Sequence, residues 1–191
     1  LLMVSSEAVP YAKTGGLADV AGALPLELAK LGHDVILLLP RYRCLRESGR
    51  SFRPVCRLQV PTPQGPVDTL IEEDVISVDS EGRHVRVWTV RNEVFFDRPG
   101  LYGDRGVDYQ DNLDRFAFFC RATIEVIAHQ HMVNQWKTHL LHLHDWQSAL
   151  CAVYLKTIGQ DRPEVQGVRT VLTLHNVGYQ GVFPGAQFEK T

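Results

Sequence analysis

The stretch KTGGLADV at Lys13–Val20 lies between a short apolar run, Leu1–Val4, and a segment with helical periodicity. Apolar residues recur in that segment at the i, i+3, i+4 and i+7 spacing of one helix face. They are Leu17, Val20, Ala21, Leu24, Leu28 and Leu31. The order strand, glycine turn, helix is typical of the first βα junction of an α/β domain. This junction therefore predicts the fold class.

The glycine turn also indicates a binding site. Gly15 and Gly16 carry no Cβ, so a ligand can approach their backbone closely. The first N–H groups of the following helix lack partners within it and lie at the positive end of its dipole. A phosphate suits this environment, and the cation of Lys13 adds to the same field. A simple tight turn stays open as the alternative, because the pattern is neither Gly-x-Gly-x-x-Gly nor a Walker A loop.

Helices and strands alternate at both ends of the chain. Buried strands are predicted at 1–5, 34–39, 140–144 and 169–174, and helices at 17–31, 109–131 and 146–158. Gly32 is expected to end the first helix in a left-handed conformation. Three further strands, predicted at 54–60, 67–75 and 84–90, form a β-meander. The sequence therefore predicts a Rossmann-like, doubly wound, mainly parallel sheet with a β-rich insertion.

Composition limits the classes of partner. The 191 residues allow one sizeable domain or two small ones. A net charge of −2 gives no reason to expect nucleic acid or a membrane surface as partner. No apolar run approaches the ~20 residues that span a bilayer. The cysteines lack Cys-x-x-Cys spacing, which predicts reduced thiols in a cytoplasmic protein. Both ends of the sequence indicate a piece of a longer chain.

Polar clusters directly follow three of the predicted parallel strands. Because the carboxyl ends of parallel strands lie at one edge of a sheet, we expect these clusters to meet there. Their members are Glu7, Lys13 to Asp19, His144, Asp145, Trp146, His175, Asn176, Tyr179 and Gln180. An open α/β sheet binds its ligands at this edge, so the sequence places a candidate site there.

The histidines of these strands allow a second interpretation. His142 and His144 lie two apart on a strand and therefore share a face. With Asp145 and His175 they can act as metal ligands, which leaves a metal-dependent hydrolase as an alternative. His142 is otherwise expected to be a histidine packed in the core. For His144 and Asp145, a ligand-facing role and a helix-capping role both stay open.

Polar residues also begin the predicted helix that follows Tyr109. Asp111 and Asn112 suit the positive end of a helix dipole, and this is the simplest account of them. Arg115, one turn later, can instead orient a loop carboxylate. Among the tryptophans, Trp146 is the better candidate for a position at the rim of the site, because it follows Asp145.

Seven segments, in this order, resemble bacterial glycogen synthases and plant starch synthases. They are Ser5–Glu7, Lys13–Val20, Leu31–Val35, Leu39–Tyr42, Asp111–Phe116, His144–Gln147 and Thr173–Gly181. The resemblance covers the chain from end to end, except that the β-rich middle matches only loosely. Lys-Thr-Gly-Gly-Leu followed much later by His-Asp-Trp and His-Asn is highly specific as a combination.

The resemblance implies a retaining glucosyltransferase of the GT-B type, with two Rossmann-like domains facing each other across a cleft. Such enzymes transfer glucose from ADP-glucose to the non-reducing end of an α-1,4-glucan, without a metal ion or other cofactor. Residues 1–191 would form the N-terminal domain, incomplete at its C-terminal end, with the second domain absent. We therefore expect no activity from this chain alone. A non-catalytic glucan-binding module is the third alternative.

The resemblance also implies roles for individual residues. Asp145 and His175 are the expected catalytic pair against the donor sugar. The residues expected to face the phosphates and glucose of the donor are Lys13, Gly15, Gly16 and Asp19. Those expected to line the glucose and acceptor side are Asn176, Tyr179, Tyr109 and Asn112. No metal ligand is implied.

Overall fold

The structure, a computed structural model, describes residues 1–191 apart from the side chain of Lys190. The first half contains β1 (Leu2–Val4), α1 (Gly16–Lys30), β2 (Ile36–Pro40), α2 (Arg43–Glu47), β3 (Arg53–Val60), β4 (Val67–Ser77), β5 (His84–Arg91) and α3 (Glu93–Phe96). The second half contains β6 (Gly103–Asp104), β7 (Val107–Asp108), α4 (Asn112–Asn134), β8 (Leu140–His144), α5 (Trp146–Lys156) and β9 (Arg169–Thr173). Two 3₁₀ turns cover Pro163–Val165 and Gly185–Lys190.

One mixed sheet organises the chain. Its seven strands lie in the order β3-β4-β5-β2-β1-β8-β9. The pairs β5–β2, β2–β1, β1–β8 and β8–β9 are parallel. The pairs β3–β4 and β4–β5, at one side of the sheet, are antiparallel. The short strands β6 and β7 form a separate hairpin. The predicted α/β class with a mainly parallel sheet is confirmed.

The predicted meander is present as β3, β4 and β5, and it joins the central sheet. Its last strand pairs in parallel with β2, so that Trp88 lies opposite Leu38. Val85, Val87 and Val90 are fully buried and Trp88 nearly so, which means that β5 buries both of its faces. Such a strand suits an interior position in a parallel sheet, and the meander therefore extends the central sheet sideways.

Helix α1 buries most of the predicted face but not all of it. Leu17 and Ala21 are buried and Leu24 and Leu28 pack against the core, whereas Val20 and Leu31 are 41% and 76% exposed. The buried residues are Leu17, Ala18, Ala21, Gly22, Pro25 and Ala29. A Cβ at Gly22 would lie 2.4 Å from Cγ2 of Val9, so only glycine lets the helix pack this closely against the preceding loop. Gly32 has a φ of +88°, which confirms the predicted left-handed end of α1.

Two other expectations concern the chain as a whole. The cysteines are unpaired thiols, as predicted. Within the described residues, no helix combines the length and the apolar character that a membrane crossing requires.

Candidate active site

The strand register brings the three polar clusters to one edge of the sheet. Val4 of β1 lies opposite Leu143 of β8, and His144 lies opposite Thr173 of β9. The residues that follow these strands line a cleft of about 690 Å³, a volume typical of small-molecule sites. Predicted site residues in its lining are Gly15, Gly16, Asn112, Asp145, His175, Asn176 and Tyr179. The predicted residues outside the lining are Lys13, Asp19 and Tyr109.

The glycine turn faces open space. Gly15 has an extended backbone, with φ −147° and ψ −164°, and Gly16 begins α1. A Cβ added to either glycine would meet no protein atom within 4 Å. Neither backbone conformation nor packing within the chain therefore requires glycine at these two positions. The space that the missing side chains leave belongs to the cleft.

Glu7, a member of the first polar cluster to which the resemblance gave no role, lines the cleft. Its side chain is buried, with the residue 3% exposed, directly after β1. The carboxylate accepts hydrogen bonds from the backbone N–H of Thr14, from Oγ1 of Thr14 at 2.6 Å and from the N–H of Gly15 at 3.2 Å. It also accepts one from the hydroxyl of Tyr102 at 2.6 Å. Glu7 thus holds the glycine turn against the wall of the cleft.

The position of Glu7 changes which amides a ligand can use. The N–H groups of Thr14 and Gly15 already donate to its carboxylate. The N–H groups of Gly16, Leu17 and Ala18 lie in the first turn of α1 and have no acceptor within the helix. Of these residues, Gly16 and Leu17 line the cleft, whereas Ala18 is fully buried. The amides of Gly16 and Leu17, rather than the whole turn, are therefore the donors left for a ligand at the positive end of the helix dipole. Position after a strand was the sequence signal for Glu7, but its partner Tyr102 is too distant in sequence to be inferred.

Lys13 and Asp19 form an ion pair beside the cleft. Their side chains meet at 2.6 Å and are 51% and 56% exposed. The charge of Lys13 is thus neutralised by Asp19 and not directed at the turn. Exposed pairs of this kind contribute little to stability, so a ligand anion can compete with Asp19 for the lysine.

Asp145 has an unusual backbone. Its φ of +57° and ψ of −177° lie in a region that is almost restricted to glycine. The side chain does not cap α5, so the capping hypothesis is wrong for this residue. Instead, Oδ1 accepts a 2.7 Å hydrogen bond from the backbone N–H of His175. Strain of roughly 1–3 kcal/mol is retained here, at the point where Asp145 ties the end of β8 to the loop after β9.

The two histidines of β8 have exchanged their expected environments. His142, predicted to be the core histidine, is only half-buried, and its Nε2 lies 2.8 Å from Oγ1 of Thr173. His144 is fully buried, and its Nδ1 lies 2.9 Å from Nε2 of His175. Burial lowers the pKa of His144 to about 3 and also lowers the pKa of His142. His144 therefore neither faces a ligand nor caps a helix.

These contacts bear on the metal-dependent alternative. Nδ1 of His144 and Nε2 of His175 bond each other. Among the residues that the structure describes, no three His, Cys, Asp or Glu side chains are arranged to hold a metal ion. The hydrolase interpretation thus lacks a ligand set in this part of the chain.

Asn112 and Tyr109 support the wall of the cleft in different ways. The side-chain amide of Asn112 donates to the carbonyl of Tyr102 at 2.8 Å and accepts from Nη1 of Arg115 at 2.7 Å. Arg115 thus orients an amide and not a loop carboxylate. The guanidinium groups of Arg98 and Arg115 each lie 4.9 Å from the ring of Tyr109. Tyr102, which sequence reasoning did not single out, lines the cleft instead.

Trp146 lies at the rim, as predicted. Its ring packs edge-on against Phe116 and Phe183, with centroids 5.1 and 5.4 Å away. A Cβ at Gly181, where φ is +63°, would lie 2.4 Å from the ring. The tryptophan is therefore fixed by its neighbours. Tyr179, by contrast, is 75% exposed at the mouth of the cleft.

Known proteins resemble this chain along its whole length. A family model described as starch synthase catalytic domain matches residues 1–191. Glycogen synthase of Syntrophotalea carbinolica is 40% identical over 184 residues, which cover 96% of this chain and 36% of that protein. Glycogen synthase 2 of Geobacter sulfurreducens is 37% identical over 191 residues, which cover 100% of this chain and 38% of that protein. The chain thus spans well under half the length of these relatives.

A solved structure shows the same relationship in three dimensions. It is the catalytic domain of starch synthase IV from Arabidopsis thaliana bound to ADP and acarbose. The similarity has a TM-score of 0.76 at 28% sequence identity. It covers 94% of this chain and 34% of that one.

Proposed function

The chain belongs to the starch synthase catalytic domain family, and on this premise we propose that it is the donor-binding part of a retaining glucosyltransferase. The protein that carries it transfers glucose from ADP-glucose to the non-reducing end of an α-1,4-glucan. Residues 1–191 supply the N-terminal Rossmann-like domain of a GT-B enzyme, and a second such domain closes the cleft. The glycogen synthase relatives support the reaction, and the unpaired thiols support a reducing, cytoplasmic location.

One observation carries the proposal: the glycine turn, Asp145 and His175 line a single cleft. They come from three segments that are distant in sequence, and two of these segments have features that packing within the chain does not explain. The glycines face open space, and the backbone of Asp145 is strained. ADP and acarbose, which the related starch synthase IV structure holds, support a nucleotide donor and a saccharide acceptor as the ligands.

The turn supplies charge stabilisation to the leaving group. When ADP departs, negative charge accumulates on its terminal phosphate. The amides of Gly16 and Leu17 are fixed before the reaction, so they stabilise this charge without reorganisation. Lys13 adds a cation once the phosphate displaces Asp19 from it.

The opposite wall holds the sugar. Asp145 and His175 contact the glucose of the donor, and the hydrogen bond between Oδ1 of Asp145 and the N–H of His175 fixes their relative position. Asn176 and Tyr179 lie at the mouth of the cleft, where the acceptor glucan enters. Asn112 acts through the wall that it supports. Tyr109 acts through its packing against Arg98 and Arg115 and through its hydroxyl, which accepts from the N–H of Gly100.

Transfer of labelled glucose into glycogen tests the proposal in the protein that carries this chain. We expect incorporation from ADP-glucose that persists in EDTA. Binding of glycogen without incorporation from any nucleotide sugar would contradict the proposal and favour a binding module. Activity that EDTA abolishes and added metal restores would favour metal-dependent chemistry.

The isolated chain gives a second test. We expect no measurable transfer from residues 1–191 alone, because half a cleft does not exclude water from the donor. Robust incorporation by this piece would contradict the assignment of the second domain as an essential part of the site.

A further inference from the structure

His144 is a buried polar side chain that the proposed reaction leaves without a role. The residue has no exposed surface, and its Nε2 has no hydrogen-bond partner among the described residues. Its backbone is fixed by Ser148, whose Oγ accepts from the N–H at 2.7 Å and donates to the carbonyl at 2.9 Å. A buried unpaired polar atom is unfavourable, and an apolar side chain would avoid this cost. The imidazole therefore requires an explanation.

Its contact with His175 supplies one. Nδ1 of His144 lies 2.9 Å from Nε2 of His175. The ring planes are within 14° of parallel, but the ring centroids are 5.2 Å apart. A short nitrogen–nitrogen distance at this centroid separation means that the rings meet edge to edge. The contact is thus a directed hydrogen bond between two imidazoles.

A bond between two ring nitrogens needs one donor and one acceptor. The pKa of His144, about 3, keeps this ring neutral at physiological pH, so it carries a single N–H. If Nδ1 were the acceptor, that N–H would be on the buried and unpaired Nε2. Orphaned buried N–H groups are rarer than orphaned acceptors. The arrangement that avoids one has the Nδ1–H of His144 donating to Nε2 of His175.

We propose that His144 is a positioning residue that holds His175 in the tautomer protonated on Nδ1. His175 then offers an N–H donor to the cleft, and this donor recognises a hydroxyl oxygen of the donor sugar. The recognition of a sugar hydroxyl rests on the proposed function, whereas the tautomer of His175 does not. The opposite tautomer would offer a bare nitrogen, which selects a hydroxyl hydrogen instead.

The neighbouring histidine provides a matched control. The ring of His142 packs against that of His144, with centroids 4.3 Å apart and planes tilted by 31°. Its Nε2 bonds Oγ1 of Thr173 and not His175. Replacing His142 by leucine thus alters packing around His144 but leaves the imidazole–imidazole bond in place.

Nitrogen NMR of the protein carrying this chain, labelled with ¹⁵N in its histidine rings, tests the tautomer without substrate. The signals of His175 are those lost in His175→Gln. We expect a protonated Nδ1 and a bare Nε2 in the wild type and in His144→Asn, whose amide can still donate. In His144→Leu, or in His144→Phe should the leucine variant not fold, the proton should shift at least partly to Nε2. A wild-type proton on Nε2, or an unchanged tautomer without the imidazole, would overturn the inference.

Kinetics separate positioning from simple packing. We expect kcat to fall about tenfold in His144→Leu and to stay within about twofold of wild type in His144→Asn and His142→Leu. Equal losses in His144→Leu and His142→Leu would show a structural role only and contradict the inference. Should the wild type transfer no glucose, the proposed function fails, and the NMR result still decides the tautomer.

Discussion

The meander forms one side of the central sheet and the cleft lies at an edge of the same sheet, but the two regions differ in backbone conformation. In the meander, the buried carboxylate of Glu73 accepts from Nε of Arg53 and from the indole N–H of Trp88, each at 2.8 Å. At the cleft, Asp145 has a φ of +57° and a backbone conformation suited to glycine. Among the described residues, no non-glycine residue of β3, β4 or β5 has a positive φ. Buried unpaired atoms do not separate the two regions, because Oγ1 of Thr89 in β5 lacks a partner just as Nε2 of His144 does. Backbone strain, and not polar pairing, thus distinguishes the region where the ligand is expected.

The largest expected effect tests whether that contrast reflects function. His175→Ala and Asp145→Ala should each lower kcat by at least about 100-fold, because each removes a group placed against the donor sugar. Glu73→Gln in the meander should leave the kcat of the folded protein unchanged. Glucose incorporation measures turnover, and circular dichroism checks that each variant is folded. Near-normal turnover in both cleft variants would show that the site assignment is wrong.

The next largest effects are expected from alanine substitutions at two glycines of α1. Gly16→Ala should raise the KM for ADP-glucose about tenfold with little change in stability, because the new methyl group enters only the cleft. Gly22→Ala should instead lower stability by about 1–3 kcal/mol, because the methyl group overlaps Val9. Thermal unfolding and initial rates distinguish the two. Equal destabilisation by both variants would contradict the assignment of Gly16 to a ligand surface.

A smaller effect isolates the strain at Asp145. Both Asp145→Gly and Asp145→Ala lose the hydrogen bond to His175, but only glycine accepts a φ of +57° without strain. We expect the glycine variant to be the more stable by about 1 kcal/mol, the reverse of the usual order in a helix or strand. Urea unfolding measures the difference. Greater stability of the alanine variant would show that the backbone at Asp145 is not strained.

The smallest effect is expected at the outer side of the meander. Arg57 and Asp68 form an ion pair at 2.6 Å, with side chains 66% and 53% exposed. Arg57→Ala should change stability by less than about 1 kcal/mol and leave turnover unaltered, because water screens such a pair. A measurable loss of activity would show that the meander contributes to the reaction, and the contrast between the two regions would fail.

Periodicity and strand-end chemistry were sufficient to predict the parallel sheet and the edge that carries the cleft. The glycine turn, Asp145 and His175 each follow a predicted strand, and parallel register then places them together. Periodicity alone did not fix the rotation of α1. Leu17 and Ala21 are buried as expected, but Val20 lies in the cleft lining, while the helix makes its close contact with Val9 through Gly22.

What the sequence could not show depends on contacts between distant residues. Glu7 meets Tyr102, and His144 meets His175, only after the sheet has formed. The backbone of Asp145 is likewise set by its bonds to Thr173 and His175, since aspartate does not favour that conformation by itself. Local pattern predicts which residues reach the cleft, and tertiary contacts decide which of them face a ligand.

The position of the donor can be seen in a crystal structure of the protein carrying this chain, bound to ADP-glucose. We expect the diphosphate against the amides of Gly16 and Leu17, and the glucose between Asp145 and His175. Donor bound elsewhere, with no ligand atom in contact with the glycine turn, Asp145 or His175, would contradict it.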